Sequence, residues 1–379
     1  MARLALAADV IFDGSGWHPR GALIVEDGRV VRIVGGADVP ADAERLPEHT
    51  VLAPGFVDLQ VNGGDGVMFN DAPDVAAIEQ VCAAHARLGT TALLATIITD
   101  RPEVAQRFVA AGAEAQRRAT PGFLGVHLEG PHISAARKGA HPAEFIRTMT
   151  PADTTFLVAA RERIRHVLVT LAPESVAKEH VVALAKAGVV VSLGHTDADY
   201  DTAIAYAKAG ATVATHLFNA MSQMTSRAPG MVGAVLDWGA LSGSLIADGF
   251  HVHYATVAAA LRAKRTPGRI FLVSDAMAAA GSDITSFTLA GRRVTRSGGK
   301  LTLDDGTLAG ADTTMAASVK FLQSIRVDLT ETLRMASLYP ADVIGASDRG
   351  RLTPGARADI VALTPGMDVT GTWIGGVRV

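Results

Sequence analysis

FLGVHLEGPH, residues 123–132, is the stretch on which the reading of this chain turns. It is a short, strand-like apolar run that stops on a carboxylate, Glu129. The pattern recurs downstream. VVVSLGHTDA (189–198) leads to His195, TVATHLFNAM (212–221) to His216, and RIFLVSDAM (269–277) to Asp275. Apolar runs of this kind occur near 54–62, 91–98, 123–129, 166–172, 189–195, 212–218, 243–248 and 270–275. Short runs bounded by turn residues predict strands. Two histidines and two carboxylates, each closing a different strand, look like one site assembled from distant sequence.

Most of these runs are followed by helical periodicity. DVAAIEQVCAAHARLG (74–89), PEVAQRFVAAGAEAQRR (102–118), SVAKEHVVALAKAG (175–188) and ADYDTAIAYAKAG (198–210) are the clearest cases. Their Lys-Ala-Gly and Leu-Gly endings predict helix C-termini, where glycine takes the left-handed conformation. Eight β-then-α units predict an α/β fold, a (β/α)8 TIM-like barrel over residues 54–345. A doubly wound open sheet is the alternative, but no glycine-rich nucleotide fingerprint follows any run.

The two ends read differently. ALAADVIF and GALIVEDGRVVRIVG carry strand patterns, and Asp27-Gly28 between two apolar runs predicts a hairpin turn. ADIVALT and GTWIGGVRV repeat this at the C-terminus. Residues 1–53 and 346–379 are therefore expected to pair into one small β-sandwich module. Residues 286–308 predict a hairpin inserted after the eighth strand, and 313–326 and 329–338 predict helices that complete the barrel wall.

Composition narrows the function. Of 379 residues 49% are hydrophobic and 19% charged, with a net charge of −3. That balance gives no electrostatic case for a nucleic-acid partner or an anionic membrane surface. A phosphorylated small substrate is compatible, since a few local cations suffice. The single cysteine, Cys82, excludes an intramolecular disulfide and a cysteine-rich zinc site. The N-terminus lacks a signal-peptide layout and no run reaches the length of a membrane span, so a soluble, cytoplasmic protein is expected.

Barrel enzymes place their chemistry at the C-terminal ends of the strands. Glu129, His195 and His216 with an open fourth position suit a catalytic zinc ion, which lowers the pKa of bound water. Asp275, on another strand end, is placed to take that water's proton and pass it on. A lone histidine at a strand end is usually structural; two with two carboxylates make coincidence harder. His127 faces the same interior one layer deeper and reads as a hydrogen-bonding core residue. His253 reads as a surface or helix-start histidine. His18, His49, His85, His166 and His180 are given no function, and Cys82 reads as a buried small hydrophobe.

Taken in order, APGFVDLQVNG, HLEGPHIS, KGAHP, SLGHTDA, THLFNAM, APGMVGAVLD, IADGFHV and SDAM resemble the N-acetylglucosamine-6-phosphate deacetylases of the metal-dependent amidohydrolase superfamily. The resemblance runs from the first barrel strand to the last residues. It implies hydrolysis of N-acetyl-D-glucosamine 6-phosphate to D-glucosamine 6-phosphate and acetate, in amino-sugar catabolism or cell-wall recycling. It implies Glu129, His195 and His216 as metal ligands and Asp275 as catalytic acid/base. His251 matches a residue near the substrate carbonyl or phosphate, and His141 a sugar-contacting histidine. Asn219 and Ala220 match a turn whose backbone amides hold phosphate. Arg227 matches a phosphate-binding arginine contributed across the interface of a homodimer.

Many amidohydrolases carry His-x-His at the first strand end, holding a second metal. Here Gln60-Val61-Asn62 stands in that place. Neutral amides are poor zinc ligands but good hydrogen-bond partners for bound water or substrate, so Gln60 and Asn62 are expected to serve a site with one divalent metal. Zinc is expected; iron(II), manganese and cobalt also suit the donor set. Two other readings stay open: an amidohydrolase acting on a different N-acyl sugar or a cyclic amide, and a non-catalytic scaffold that has lost its metal.

Overall fold

The computed structural model describes residues 3–379. All eight expected runs form strands: β1 (Phe56–Val61), β2 (Thr90–Ile98), β3 (Phe123–Glu129), β4 (Val167–Leu171), β5 (Val190–Leu193), β6 (Ala211–Ala214), β7 (Ser242–Leu245) and β8 (Ile270–Leu272). They pair in parallel in that order. The nine residues of β2 are all buried, as a strand covered on both faces requires. The seam is closed just past β8. Asp275 N donates to Gln60 O at 3.0 Å and Asn62 N to Ala276 O at 2.8 Å.

Local signals set the helices. α1 (Val75–Arg87) starts on Asp74, whose carboxylate accepts from Ala77 N. α2 (Pro102–Arg118) has proline at its first position, and α3 (Pro151–Arg163) has a Thr150/Asp153 capping box. α4 (Lys178–Lys186) and α5 (Tyr200–Ala209) follow β4 and β5. They end before Gly188 (φ 82°) and Gly210 (φ 125°), where the Lys-Ala-Gly motifs place them. α6 (Gly230–Asp237) and α7 (Tyr254–Ala263) complete the series; His253 caps α7 by accepting from Ala255 N. α8 (Met315–Ser324), α9 (Leu329–Ala336) and α10 (Leu338–Val343) close the wall.

The chain ends meet in one sheet. Strands 3–12, 17–26, 29–35 and 51–54 pair with 360–363, 369–374 and 377–378. Asp27 and Gly28 both have positive φ, 47° and 75°, as a tight hairpin turn demands. Strand alternation divides the burial: Leu52, Ile360 and Ala362 join a core with Leu6, Leu23 and Trp373, whereas Ala53, Val361 and Leu363 face the barrel. Strands from both ends contribute to that first core.

The insertion after β8 is larger than a hairpin. Residues 286–289, 292–297, 300–303 and 308–311 form a four-stranded antiparallel sheet. Gly291, Gly298, Gly299 and Gly306 supply positive φ at its turns. Its inner face, with Leu289, Val294 and Leu301, packs on Met68, Ile98 and Met277 at the barrel mouth.

Asp58 ties the seam. Its carboxylate is fully buried and accepts from Ser274 N at 3.1 Å and Gln60 N at 3.2 Å. Burial pushes it up to about 6. Asp58→Ala leaves both amides without an acceptor and should cost about 1–3 kcal/mol per orphaned group. Equilibrium urea unfolding should show it as a lower midpoint. An unchanged midpoint would mean that the seam does not depend on this carboxylate.

Candidate active site

Glu129 is the last residue of β3, while His195 and His216 lie two residues beyond the ladders of β5 and β6. Asp275 follows β8 by three. The backbone explains why these strands stop there. His195, His216 and Asp275 all have positive φ, at 47°, 32° and 51°. For non-glycine residues that conformation costs about 1–3 kcal/mol each and persists only where neighbours enforce it. The enforcing contacts are visible: Ser134 N donates to His195 O at 2.9 Å, Ser244 Oγ accepts from His216 N at 2.7 Å, and Ala311 N donates to Asp275 O at 3.0 Å. Each break in the ladder presents a side chain at the barrel mouth.

Three ligand atoms converge. His195 Nε2 and His216 Nε2 are 3.0 Å apart, and Glu129 Oε1 stands 3.3 Å from the first and 3.1 Å from the second. Tetrahedral ligands about 2.0–2.1 Å from zinc would be about 3.3 Å from one another. His195 Nδ1 donates to the Arg137 carbonyl at 2.7 Å, which leaves the Nε2 lone pair toward the cage. The Arg137 guanidinium is held by Asp197 at 2.6 Å. His216 Nδ1 is buried without a partner. The donor set therefore fits a divalent ion of borderline softness.

His141 is buried beside this cage, with ligand atoms of Glu129, His141 and His195 all within 4.8 Å. Its Nδ1 accepts from Thr99 N at 3.2 Å, so Nε2 carries the hydrogen and points toward Glu129 Oε2 at 3.7 Å. Burial, with His195 adding to it, pushes His141 down to about 4. In this tautomer His141 is a neutral donor rather than a ligand.

Gln60 and Asn62 face the two carboxylates. Gln60 Nε2 donates to Glu129 Oε1 at 3.1 Å and Asn62 Nδ2 to Asp275 Oδ1 at 2.7 Å. Gln60 Oε1 and Asn62 Oδ1 are buried and unpartnered. Electrostatics separates the carboxylates. Burial raises Glu129, but the imidazoles of His141, His195 and His216 hold it well below the ordinary carboxylate range. Burial and then the charge of Glu129 push Asp275 up to about 8.

Glu129, His141, His195, His216 and Asp275 line a cavity of about 250 Å³ with His251, Asn219 and Ala220; Gln60 and Asn62, fully buried behind the two carboxylates, do not line it. His251 Nδ1 is bound by Asp248 Oδ2 at 2.6 Å, and Asp248 also accepts from His251 N and Phe250 N. Burial raises Asp248, yet the His251 hydrogen bond holds it below its usual value. The turn expected to hold phosphate offers fewer free amides than its sequence suggests. Asn219 N already donates to His216 O at 2.9 Å, which leaves the Ala220 amide as the turn's open donor. Arg227 is exposed and does not line the cavity.

Three supporting groups escaped the sequence reading: Asp248, Thr99 and the Arg137 carbonyl. Asp248 had a signal, an aspartate three residues before a histidine in ADGFH. Arg137 had none, because every residue has a carbonyl. His127 is an interior residue, bonded to Leu59 O at 3.1 Å and Thr170 Oγ1 at 2.7 Å. A larger cleft of about 720 Å³ opens between α1 and the chain ends; none of these site residues lines it.

A closed eight-stranded barrel with a Glu-His-His cage and a separate carboxylate at the mouth defines a metal-dependent hydrolase. Comparison with known proteins agrees: a model of the amidohydrolase family matches residues 51–379, and the chain belongs to that family. It is 41% identical over 333 residues to an N-acetylgalactosamine-6-phosphate deacetylase of Shewanella sp. (strain ANA-3), covering 88% of this chain and 84% of that one. It is 38% identical over 330 residues to the N-acetylglucosamine-6-phosphate deacetylase of Haemophilus influenzae, covering 86% and 85%. The crystal structure of N-acetylglucosamine-6-phosphate deacetylase from Pasteurella multocida superposes with a TM-score of 0.95 at 36% identity, covering all of both chains.

Proposed function

We propose that the chain hydrolyses the acetamide of N-acetyl-D-glucosamine 6-phosphate to D-glucosamine 6-phosphate and acetate. The observation that carries this reading is the Glu129–His195–His216 cage beside a buried Asp275 of raised pKa, in a chain whose relatives are named as sugar-phosphate deacetylases. The Shewanella relative gives the 4-epimer, N-acetyl-D-galactosamine 6-phosphate, standing as a second candidate.

Glu129, His195 and His216 would hold one divalent ion, with zinc the best match to the donors. When bound, the ion lowers the pKa of a water molecule and polarises the amide carbonyl. Asp275 takes a proton from the water as its oxygen attacks the acyl carbon. Asp275 then delivers that proton to nitrogen as the C–N bond breaks, which releases acetate and the amine. Asn62 keeps Asp275 oriented toward this exchange. His251, its Nδ1 held by Asp248, turns Nε2 to the acyl oxygen, and His141, at the cavity wall beside Glu129, packs against the sugar. The Ala220 amide binds phosphate. The phosphate confines the substrate to one side of a membrane, which suits a cytoplasmic enzyme. No helix among the described residues is long and apolar enough to cross one.

Arg227 completes the phosphate site of a partner subunit in a homodimer. Support comes from its exposed position outside its own cavity and from the exposed Met224 on the same loop, Phe250 on the loop after β7 and Tyr254 at the start of α7. Mixing Arg227→Ala with Asp275→Asn should restore activity that neither homodimer has, because one heterodimer site then holds both residues. Absence of complementation, or a monomer in sedimentation, would refute the shared site.

The deciding experiment is a deacetylation assay on both 4-epimers, each with and without its 6-phosphate, with metal analysis of the same sample. Hydrolysis of the glucosamine epimer, strongly favoured by phosphate, is the expected result. Indifference to phosphate would overturn the substrate assignment.

A further inference from the structure

The cavity has two unlike halves. Its titratable groups end or follow β3, β5, β6, β7 and β8, whereas its apolar wall includes Ile98, Met277 and Leu308, with Thr307 beside Leu308. Ile98 is the last residue of β2 and Met277 lies two beyond Asp275. Both belong to the small apolar core under the inserted sheet, and each is nearly fully buried, 4% and 3% exposed. Leu308 reaches the cavity from that sheet.

Ring topology sets the direction of the substrate. In a closed ring of eight strands, β2 stands opposite β6. The proposed phosphate contact, the Ala220 amide, follows β6. The acyl carbon must lie between Asp275 and the cage, with its nitrogen toward the sugar and the phosphate. Its alkyl group therefore leaves on the opposite side, toward β2. There it meets Ile98 and Met277. Packing leaves this wall little room to retreat: a Cβ at Gly310 would come within 2.5 Å of Met277 Cε and 2.8 Å of Asp275 O, so the strand that begins at Leu308 packs closely on Met277 and the catalytic segment.

We infer that Ile98, Met277 and Leu308 form an acyl subsite that sets which N-acyl chains the enzyme removes, an inference that rests on the deacetylase reading above. The subsite admits a methyl and resists longer chains. One extra methylene against a filled apolar pocket discriminates by about 10–200-fold. Ile246 lines the cavity from the β7 side and lies outside the subsite.

The test compares kcat/KM for N-acetyl-, N-propionyl- and N-butyryl-glucosamine 6-phosphate. In the parent, acetyl should be favoured over propionyl by a factor of about 10–200, the range just given. Met277→Ala should raise that ratio at least about 10-fold, and Ile98→Val, which removes one methyl and endangers folding less, a few-fold. Ile246→Ala should leave it unchanged. A ratio unmoved in both Met277→Ala and Ile98→Val, or moved equally by Ile246→Ala, overturns the subsite while the deacetylase reading stands. A parent enzyme that releases no acetate from any N-acetylhexosamine 6-phosphate overturns that reading, and the subsite with it.

Discussion

Asp275→Asn is expected to lower kcat by about 100- to 10,000-fold, the usual weight of a positioned acid/base, with metal content and fold unchanged. Asparagine keeps the shape and can still meet Asn62, but it neither takes nor returns a proton. The raised pKa in the bare site comes from burial and then from the charge of Glu129. A bound dication opposes both, so in the loaded enzyme Asp275 should titrate below 8. The sign follows from its role as base: kcat/KM rises with pH as Asp275 loses its proton. Parent pH profiles should therefore show an acidic limb below pH 8 that Asp275→Asn lacks. A variant with near-parental turnover and the same limb would assign the proton transfer to another group.

Glu129→Gln should empty the cage. Glu129 is the one formal negative charge among the three ligands, and His195 and His216 both face its Oε1. Removing it takes away a donor and the charge that balances the cation. The loss of metal affinity should exceed about 100-fold, the upper end for partners that only orient a ligand. Metal analysis after dialysis gives one readout. Thermal stability gives another, independent of turnover: metal at about 100 times its Kd should stabilise the parent by about 2.7 kcal/mol, and should leave Glu129→Gln unmoved. If the variant retained metal and the same thermal shift, the cage would lie elsewhere.

The barrel was legible because its signals are local. An apolar run, a polar residue at its end and a capped helix after it are each read within about twenty residues. Glu129, His195, His216 and Asp275 stood out for the same reason, and so did the Asp27-Gly28 turn. The insert was underread as a hairpin because its further turns resemble ordinary loop glycines. At the Asn219-Ala220 turn, sequence does not tell which amides are already engaged; in the fold Asn219 N is, donating to His216 O.

The sequence by itself determined the eight strands, the helices between them, the pairing of the two ends and the residue types at the strand ends. Tertiary structure alone decided the distances. Ring closure brings residues 66 and 21 positions apart in sequence to within 3.0–3.3 Å, and no local pattern encodes that spacing. It also decided the chemistry of each group. The Arg137 carbonyl selects the His195 tautomer, Thr99 makes His141 a donor, and burial with the charge of Glu129 raises the pKa of Asp275. Those effects act through space over a few ångströms, between groups whose separation along the chain carries no signal.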